Sequence, residues 1–245
     1  MKALRNLLLK VFGLEGYLRL VSASYLFLVK RGAMKTKYPE LFFLENMIKP
    51  GDVCIDIGAN LGYYSWFMSK HCGESGTLIA VEPVPLFGKI WHRNMKRAPF
   101  ANHRLEACAL GGENTRVQMA TPEVNGVLHH GMTHVVKSDD EQESTRYSVE
   151  MKIPDELFAH LNRLDFIKID VEGYEFLVFS NMIQTLQRLR PKIQTELSGH
   201  ENREKVLDLL SSLNYKACVL DNGALREITR EDVEMGVSDF YFLPD

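Results

Sequence analysis

Val53-Cys54-Ile55-Asp56-Ile57-Gly58-Ala59-Asn60-Leu61-Gly62-Tyr63-Tyr64 is the stretch on which the fold of this 245-residue chain turns. Its first five residues are an apolar run holding one acid, the composition of a strand buried on both faces in the middle of a parallel sheet. Gly58 and Gly62 then permit a tight turn and a close approach of the backbone to a ligand. A helical pattern follows Gly62. Strand, glycine loop and helix, in that order, build a nucleotide-type site at the carboxyl edge of an open sheet.

Two cofactor classes use such a loop. A dinucleotide fingerprint is G-x-G-x-x-G, whose middle glycine lets the backbone reach the pyrophosphate. Here Asn60 holds the middle position and the spacing is Gly58-x-x-x-Gly62. Asp56, at the strand end, would repel a pyrophosphate and suits a cationic ligand without phosphate. S-adenosylmethionine, with its ammonium and sulfonium groups, meets that description. The next strand, Thr77-Leu78-Ile79-Ala80-Val81, ends in Glu82, about twenty residues past the loop, where a carboxylate accepts hydrogen bonds from a ribose diol. Glu82 indicates a nucleoside of either class; Asp56 and Asn60 select S-adenosylmethionine. An NAD-dependent oxidoreductase and a non-catalytic nucleoside-binding protein are the competing functions.

Outward from this centre, strand-like and helix-like segments alternate. A helix is expected from Pro85 to Lys96, a third strand at Arg104 to Leu110, and further strands at 165–170, 192–196, 215–220 and 238–243. Helices are expected at 174–189 and 201–213, and Asp221-Asn222-Gly223 as a turn. Such alternation builds a mostly parallel sheet with helices on both faces. Residues 111 to 150 break the pattern: short strand-like pieces, a polar run at 138–144, and His129, His130 and His134. Before Val53, apolar stripes at Leu4 to Phe12, Tyr17 to Val29 and Leu41 to Ile48 read as three helices. Residues 1–50 are therefore expected as an N-terminal helical extension, and 51–245 as the cofactor-binding domain.

Composition bounds the function. With 45% hydrophobic residues, 25% charged and a formal net charge of -3, the chain lacks the basic excess of a nucleic-acid binder. Residues 1–50 are the exception: Lys2, Arg5, Lys10, Arg19, Lys30, Arg31, Lys35, Lys37 and Lys49 face only Glu15, Glu40 and Glu45. Their helices are expected to pack on the domain. Acceptor binding, oligomerisation and peripheral membrane contact are the other roles such a basic, apolar segment suits. No stretch is expected to reach the ~20 apolar residues of a membrane span, since Arg19 interrupts the longest run, and no cleavage site marks a secretory signal. Cys54, Cys72, Cys108 and Cys218 have no metal-type spacing, and Cys54 and Cys108 read as small core residues. Free thiols, and hence a cytoplasmic setting, are the expectation.

A second motif repeats the logic of the first. Phe166-Ile167-Lys168-Ile169-Asp170-Val171-Glu172-Gly173-Tyr174-Glu175 is a buried strand ending in acids and a glycine before a helix. A later strand ends at Glu196. Asp170, Glu172 and Glu196 would crowd the edge that holds Asp56 and Glu82, placing a carboxylate to take a hydroxyl proton, or else to hold Mg²⁺. His134 is the candidate base from the insertion. Glu172 and Glu175 equally suit the first turn of a helix.

Asp56-x-Gly58-Ala59-Asn60-x-Gly62, Val81-Glu82-Pro83 and Ile167-Lys168-Ile169-Asp170-Val171-Glu172-Gly173-x-Glu175 together resemble the FkbM family of S-adenosylmethionine-dependent methyltransferases, over roughly Pro50 to Leu197. The resemblance implies a Rossmann-like class I fold with a seven-stranded sheet, and O-methylation of a hydroxyl on a sugar, a glycan or glycolipid precursor, or a small metabolite. It implies that Asp56, Gly58, Asn60 and Gly62, with Ala59 and Tyr63 in the same turn, hold the methionine end. Glu82, followed by Pro83, would hold the ribose; Ala109 and Leu110 would border the adenine, and Asp170 would serve both cofactor and acceptor. Asp170 and Glu196 also resemble the metal-binding acids of catechol-type O-methyltransferases, but Leu197 replaces a further polar ligand, so Mg²⁺ is disfavoured.

Overall fold

The computed structural model describes residues 2–122, 134–135, 144–229, 232 and 237–245. In chain order the elements are α1 (Lys2–Lys30), α2 (Pro39–Met47), β1 (Val53–Ile57), α3 (Tyr63–Cys72), β2 (Thr77–Val81), α4 (Pro85–Met95) and β3 (His103–Glu106). Next come β4 (Ala109–Leu110), β5 (Thr115–Pro122), β6 (His134–Val135), β7 (Ser144–Lys152) and α5 (Pro154–Leu157). The chain continues through β8 (Phe166–Ile169), α6 (Glu175–Ser180), α7 (Ile183–Leu189), β9 (Lys192–Glu196) and α8 (His200–Ser212). It closes with β10 (Tyr215–Asp221), β11 (Ala224–Glu227) and β12 (Asp239–Pro244).

The main sheet runs β11-β10-β12-β9-β8-β1-β2-β3, with β3, β2, β1, β8 and β9 parallel and β12 antiparallel to both its neighbours. It has eight strands where seven are expected, because Asn222-Gly223, both at positive φ, folds the chain back and pairs β11 on β10. The expected strand Arg104 to Leu110 is two strands. β3 ends at Glu106, and after buried Cys108 the chain steps into a second sheet, β4-β7-β5-β6, where Ala109 and Leu110 pair with Met151 and Lys152. The insertion is thus built on a long β5–β7 ladder. His129, His130 and the polar run 138–143 lie outside the described residues.

Side-chain alternation divides the core. Ile55, Ile57, Ile79, Val81, Ile167 and Ile169 face one side with Val178, Phe179, Leu186, Val206 and Leu210 from α6, α7 and α8. Cys54, Leu78, Ala80 and Phe166 face the other, with Leu41, Leu44, Phe67, Met68 and Trp91 from α2, α3 and α4. All four cysteines are free and buried, and the thiols of Cys54 and Cys72 touch at 3.3 Å. Pro39, Pro85 and Pro154 each open a helix, where the missing N–H costs nothing.

The first two expected helices are one element, α1, broken at Gly13, whose φ of 64° and ψ of 179° suit glycine alone. Contrary to expectation, Leu7–Lys30 is long and apolar enough to cross a membrane by length and composition, with a mean hydropathy of 1.2. The charge of Arg19 is matched within the helix by Glu15. The part of this helix after Gly13 packs on the domain through Leu18, Ser22, Leu26 and Val29.

Gly58 is the tightest contact in the sheet edge. At φ 76°, a Cβ there would lie 1.9 Å from the backbone oxygen of Asp170, in the loop after β8. Its lack of a side chain lets two strand-end loops touch; the close approach is to protein. Gly58→Ala is expected to cost about 2–5 kcal/mol from left-handed strain plus overpacking, read as a lowered urea midpoint.

Candidate active site

A cleft of about 790 Å³, counting space open to solvent at its mouth, lies beyond the carboxyl ends of β1, β2 and β8. The loop after β1 contributes Gly58 and Asn60, and the loop after β2 contributes Glu82, Pro83 and Val84. Cys108, Ala109 and Leu110 form an apolar wall at the step between the sheets. Asp170, Val171, Glu172 and Tyr174 come from the loop after β8, with Leu177 and Val178 from α6. Three of the described lining residues are acids, and none is Lys, Arg or His.

Asp56 does not line this cleft. It sits in register with Lys168 on neighbouring strands, on the face covered by α3, because alternation turns Ile57 toward the opposite side. There it is fully buried, accepting a 2.5 Å bond from Ser65 Oγ, which in turn accepts from Trp91 Nε1 at 2.8 Å. Burial raises its carboxyl above the usual range, against the pull of Lys168. Lys168 donates to Asp170 Oδ2 at 3.1 Å with the Tyr64 ring 4.8 Å away. Burial opposes its charge, but Asp170 and Asp56 hold the ammonium above the ordinary lysine value. The sequence reading missed Lys168, Ser65 and Trp91; the alternation of Lys168 in an apolar run was the available signal.

Glu82 is 5% exposed and fastens two loops: Oε2 accepts from Asn60 N and Oε1 from Val84 N, both at 2.8 Å. Burial pushes its carboxyl up to about 7, with those two bonds pulling the other way. Asn60, at φ 48°, has its side-chain Oδ1 buried without a partner. Glu172, at φ 53°, stands exposed at the cleft. Partial burial, then Asp170, Glu196 and Glu175, raise it to about 7. Glu175 instead is buried and structural, accepting from Val171 N, Gly173 N and Asn202 Nδ2.

Several expected site residues fall elsewhere. Gly62 packs against Trp91, and a Cβ introduced there would lie 2.9 Å from the indole. Ala59 is buried outside the cleft, and the Tyr63 ring lies 4.3 Å from that of Tyr25 on α1. Glu196 ends β9 beyond the lining residues; partial burial, then Asp170 and Asp239, raise its carboxyl. His134 lies in β6, paired with Ala120. Leu197 is in the core, and no group of three His, Cys, Asp or Glu residues suited to a metal occurs among the described residues.

The family model of the methyltransferase FkbM domain matches residues 56–217. The chain belongs to the FkbM methyltransferase family. No curated protein matches it. Its fold is similar to that of methyltransferase FkbM from Methylobacillus flagellatus KT, at 14% identity and a TM-score of 0.50, covering 78% of this chain and 43% of that one. An S-adenosylmethionine-dependent O-methyltransferase from Thermotoga maritima gives 14% and 0.45, covering 84% and 65%. Aeropyrum pernix fibrillarin, with natively bound S-adenosyl-L-methionine, gives 12% and 0.45, covering 80% and 68%. This chain therefore spans less than half of the first of these proteins. Family and fold are those of S-adenosylmethionine-dependent methyltransferases.

The cleft of this FkbM-family chain suits that cofactor. Asn60 Oδ1 is an orphaned acceptor, Glu82 keeps a second lone pair on each oxygen for a diol, and Ala109 and Leu110 offer an apolar wall to a flat ring. The buried charges beneath are tested by removal. Lys168→Met leaves Asp56 and Asp170 uncompensated and is expected to cost about 3–5 kcal/mol in chemical denaturation. Adding Asp56→Asn should recover part of the loss; no recovery would mean that the two residues are uncoupled.

Proposed function

We infer that this protein O-methylates a hydroxyl of a sugar, a glycan or glycolipid precursor, or a small metabolite, with S-adenosylmethionine as donor. The observation that carries this is the charge of the cleft: Glu82, Asp170 and Glu172 line it without a described cation. Such a wall attracts a sulfonium and repels a diphosphate, which weighs against an NAD-dependent oxidoreductase. When bound, the cofactor supplies an electrophilic methyl group on a positively charged sulfur.

The rest falls to the chain. Asp170, held by Lys168, faces the cationic end, and Glu82 with Asn60 orients the nucleoside. Glu172 takes the acceptor's proton. A hydroxyl is a poor nucleophile until its proton leaves, and a carboxyl at about 7 is half ionised at neutral pH. Asp239, which burial raises to about 6, Glu196 and His134 are the reserve bases. A bound Mg²⁺ has no third ligand at Leu197, so acid–base help from Glu172 is the favoured route.

Isothermal calorimetry tests the cofactor. S-adenosylmethionine should bind and NAD should not, and Asp170→Asn should weaken binding about 10- to 100-fold, the worth of one charge-assisted hydrogen bond. Heat from NAD alone would overturn the assignment. For the base, turnover should rise with pH and level off above about 7, since the ionised carboxylate is the active form. Glu172→Gln should lower kcat by about 10²–10⁴ and flatten that profile. An unchanged profile in the variant would move the base to another residue.

A further inference from the structure

Methyl transfer leaves the outer face of α1 without a role. All the exposed large hydrophobic residues found among the described residues lie on this one helix: Leu7, Val11 and Phe12 before Gly13, and Leu20, Phe27 and Leu28 after it. Their exposures run from 44% to 62%, and no other large apolar side chain among the described residues is as open. After Gly13 the spacing separates two faces. Leu18, Ser22, Leu26 and Val29 turn inward, and Leu20, Ser24, Phe27, Leu28 and Arg31 turn outward.

Charge identifies what covers that face. Residues 16–39 contain Arg19, Lys30, Arg31, Lys35 and Lys37 and no acid. Lys30, Arg31, Lys35 and Lys37 are exposed and clustered where α1 ends. The single acid of α1, Glu15, is taken by Arg19 and by Lys89 of α4 at 2.9 Å. We propose that α1 is an interfacial anchor: its outer face seats in the headgroup–acyl boundary of an anionic bilayer, and the basic cluster lies on the lipid phosphates.

Two other occupants fit the observations less well. A spanning helix would have to strip Leu18 from Val84, Phe87 and Ile90, and Leu26 and Val29 from the α2–α3 core. A second copy of the chain would set basic cluster against basic cluster with no acid between them. An amphipathic helix lying in the membrane plane needs neither change. Val84 and Phe87, which pack on Leu18, also line the cleft, so the docked bilayer lies about one helix diameter, ~10 Å, from the cleft wall.

Flotation of the full chain with vesicles is the test. Vesicles of phosphatidylcholine with phosphatidylglycerol should bind at least about tenfold more protein than phosphatidylcholine alone, and high salt should remove the difference. Leu20→Ser/Phe27→Ser/Leu28→Ser should lower binding to both. Arg31→Glu/Lys35→Glu/Lys37→Glu should abolish the anionic preference, with circular dichroism melts unchanged in both variants. Absence of vesicle binding overturns the proposal. So does a concentration-dependent dimer that the serine variant dissolves, which would assign the face to a second copy. Resistance of the membrane-bound protein to alkaline carbonate would indicate a span and overturn it equally.

Discussion

The buried ammonium of Lys168, paired with Asp170 and in the field of Asp56, is the constraint around which the centre of the sheet is arranged. A charge taken out of water is costly unless its partners come with it. Here they come from the next strand and from the strand's own end. That requirement ties the register of β1 to β8, and β8 to the loop that lines the cleft. Asp56 is tied in turn to both covering helices, accepting from Ser65 of α3, which accepts from Trp91 of α4.

The cleft is a consequence of how strand-end loops are fastened to one another. Glu82 joins the loop after β1 to the loop after β2, and Glu175 closes the loop after β8 on itself and on Asn202. Gly58 lets the first and third of these loops touch. Of these two acids Glu82 also lines the cleft, so one carboxyl both fastens the loops and contributes to the acidic wall.

The N-terminal helices complete the face that α3 and α4 begin to cover. Leu26 and Val29 of α1 and Leu41 and Leu44 of α2 belong to one apolar cluster with Phe67 and Trp91. The basic segment is thus part of the domain's core on one side and, among the described residues, its most apolar exposed surface on the other. A helix with two apolar faces reads in sequence like a membrane span, and only its packing tells the cases apart.

The sequence alone was sufficient for the parallel strands, the glycine loop and the acids at the strand ends, because buried apolar runs and turn residues are local signals. It was also enough for the family, whose motifs are short and ordered. The tertiary structure decided which way each side chain turns. A period of two places Asp56 and Ile57 on opposite faces but does not say which face meets the cleft, and here it is that of Ile57. The tertiary structure also divided 104–110 between two sheets, added β11, and docked α1. Each of these depends on partners distant in the chain, and a pattern within one segment carries no record of them.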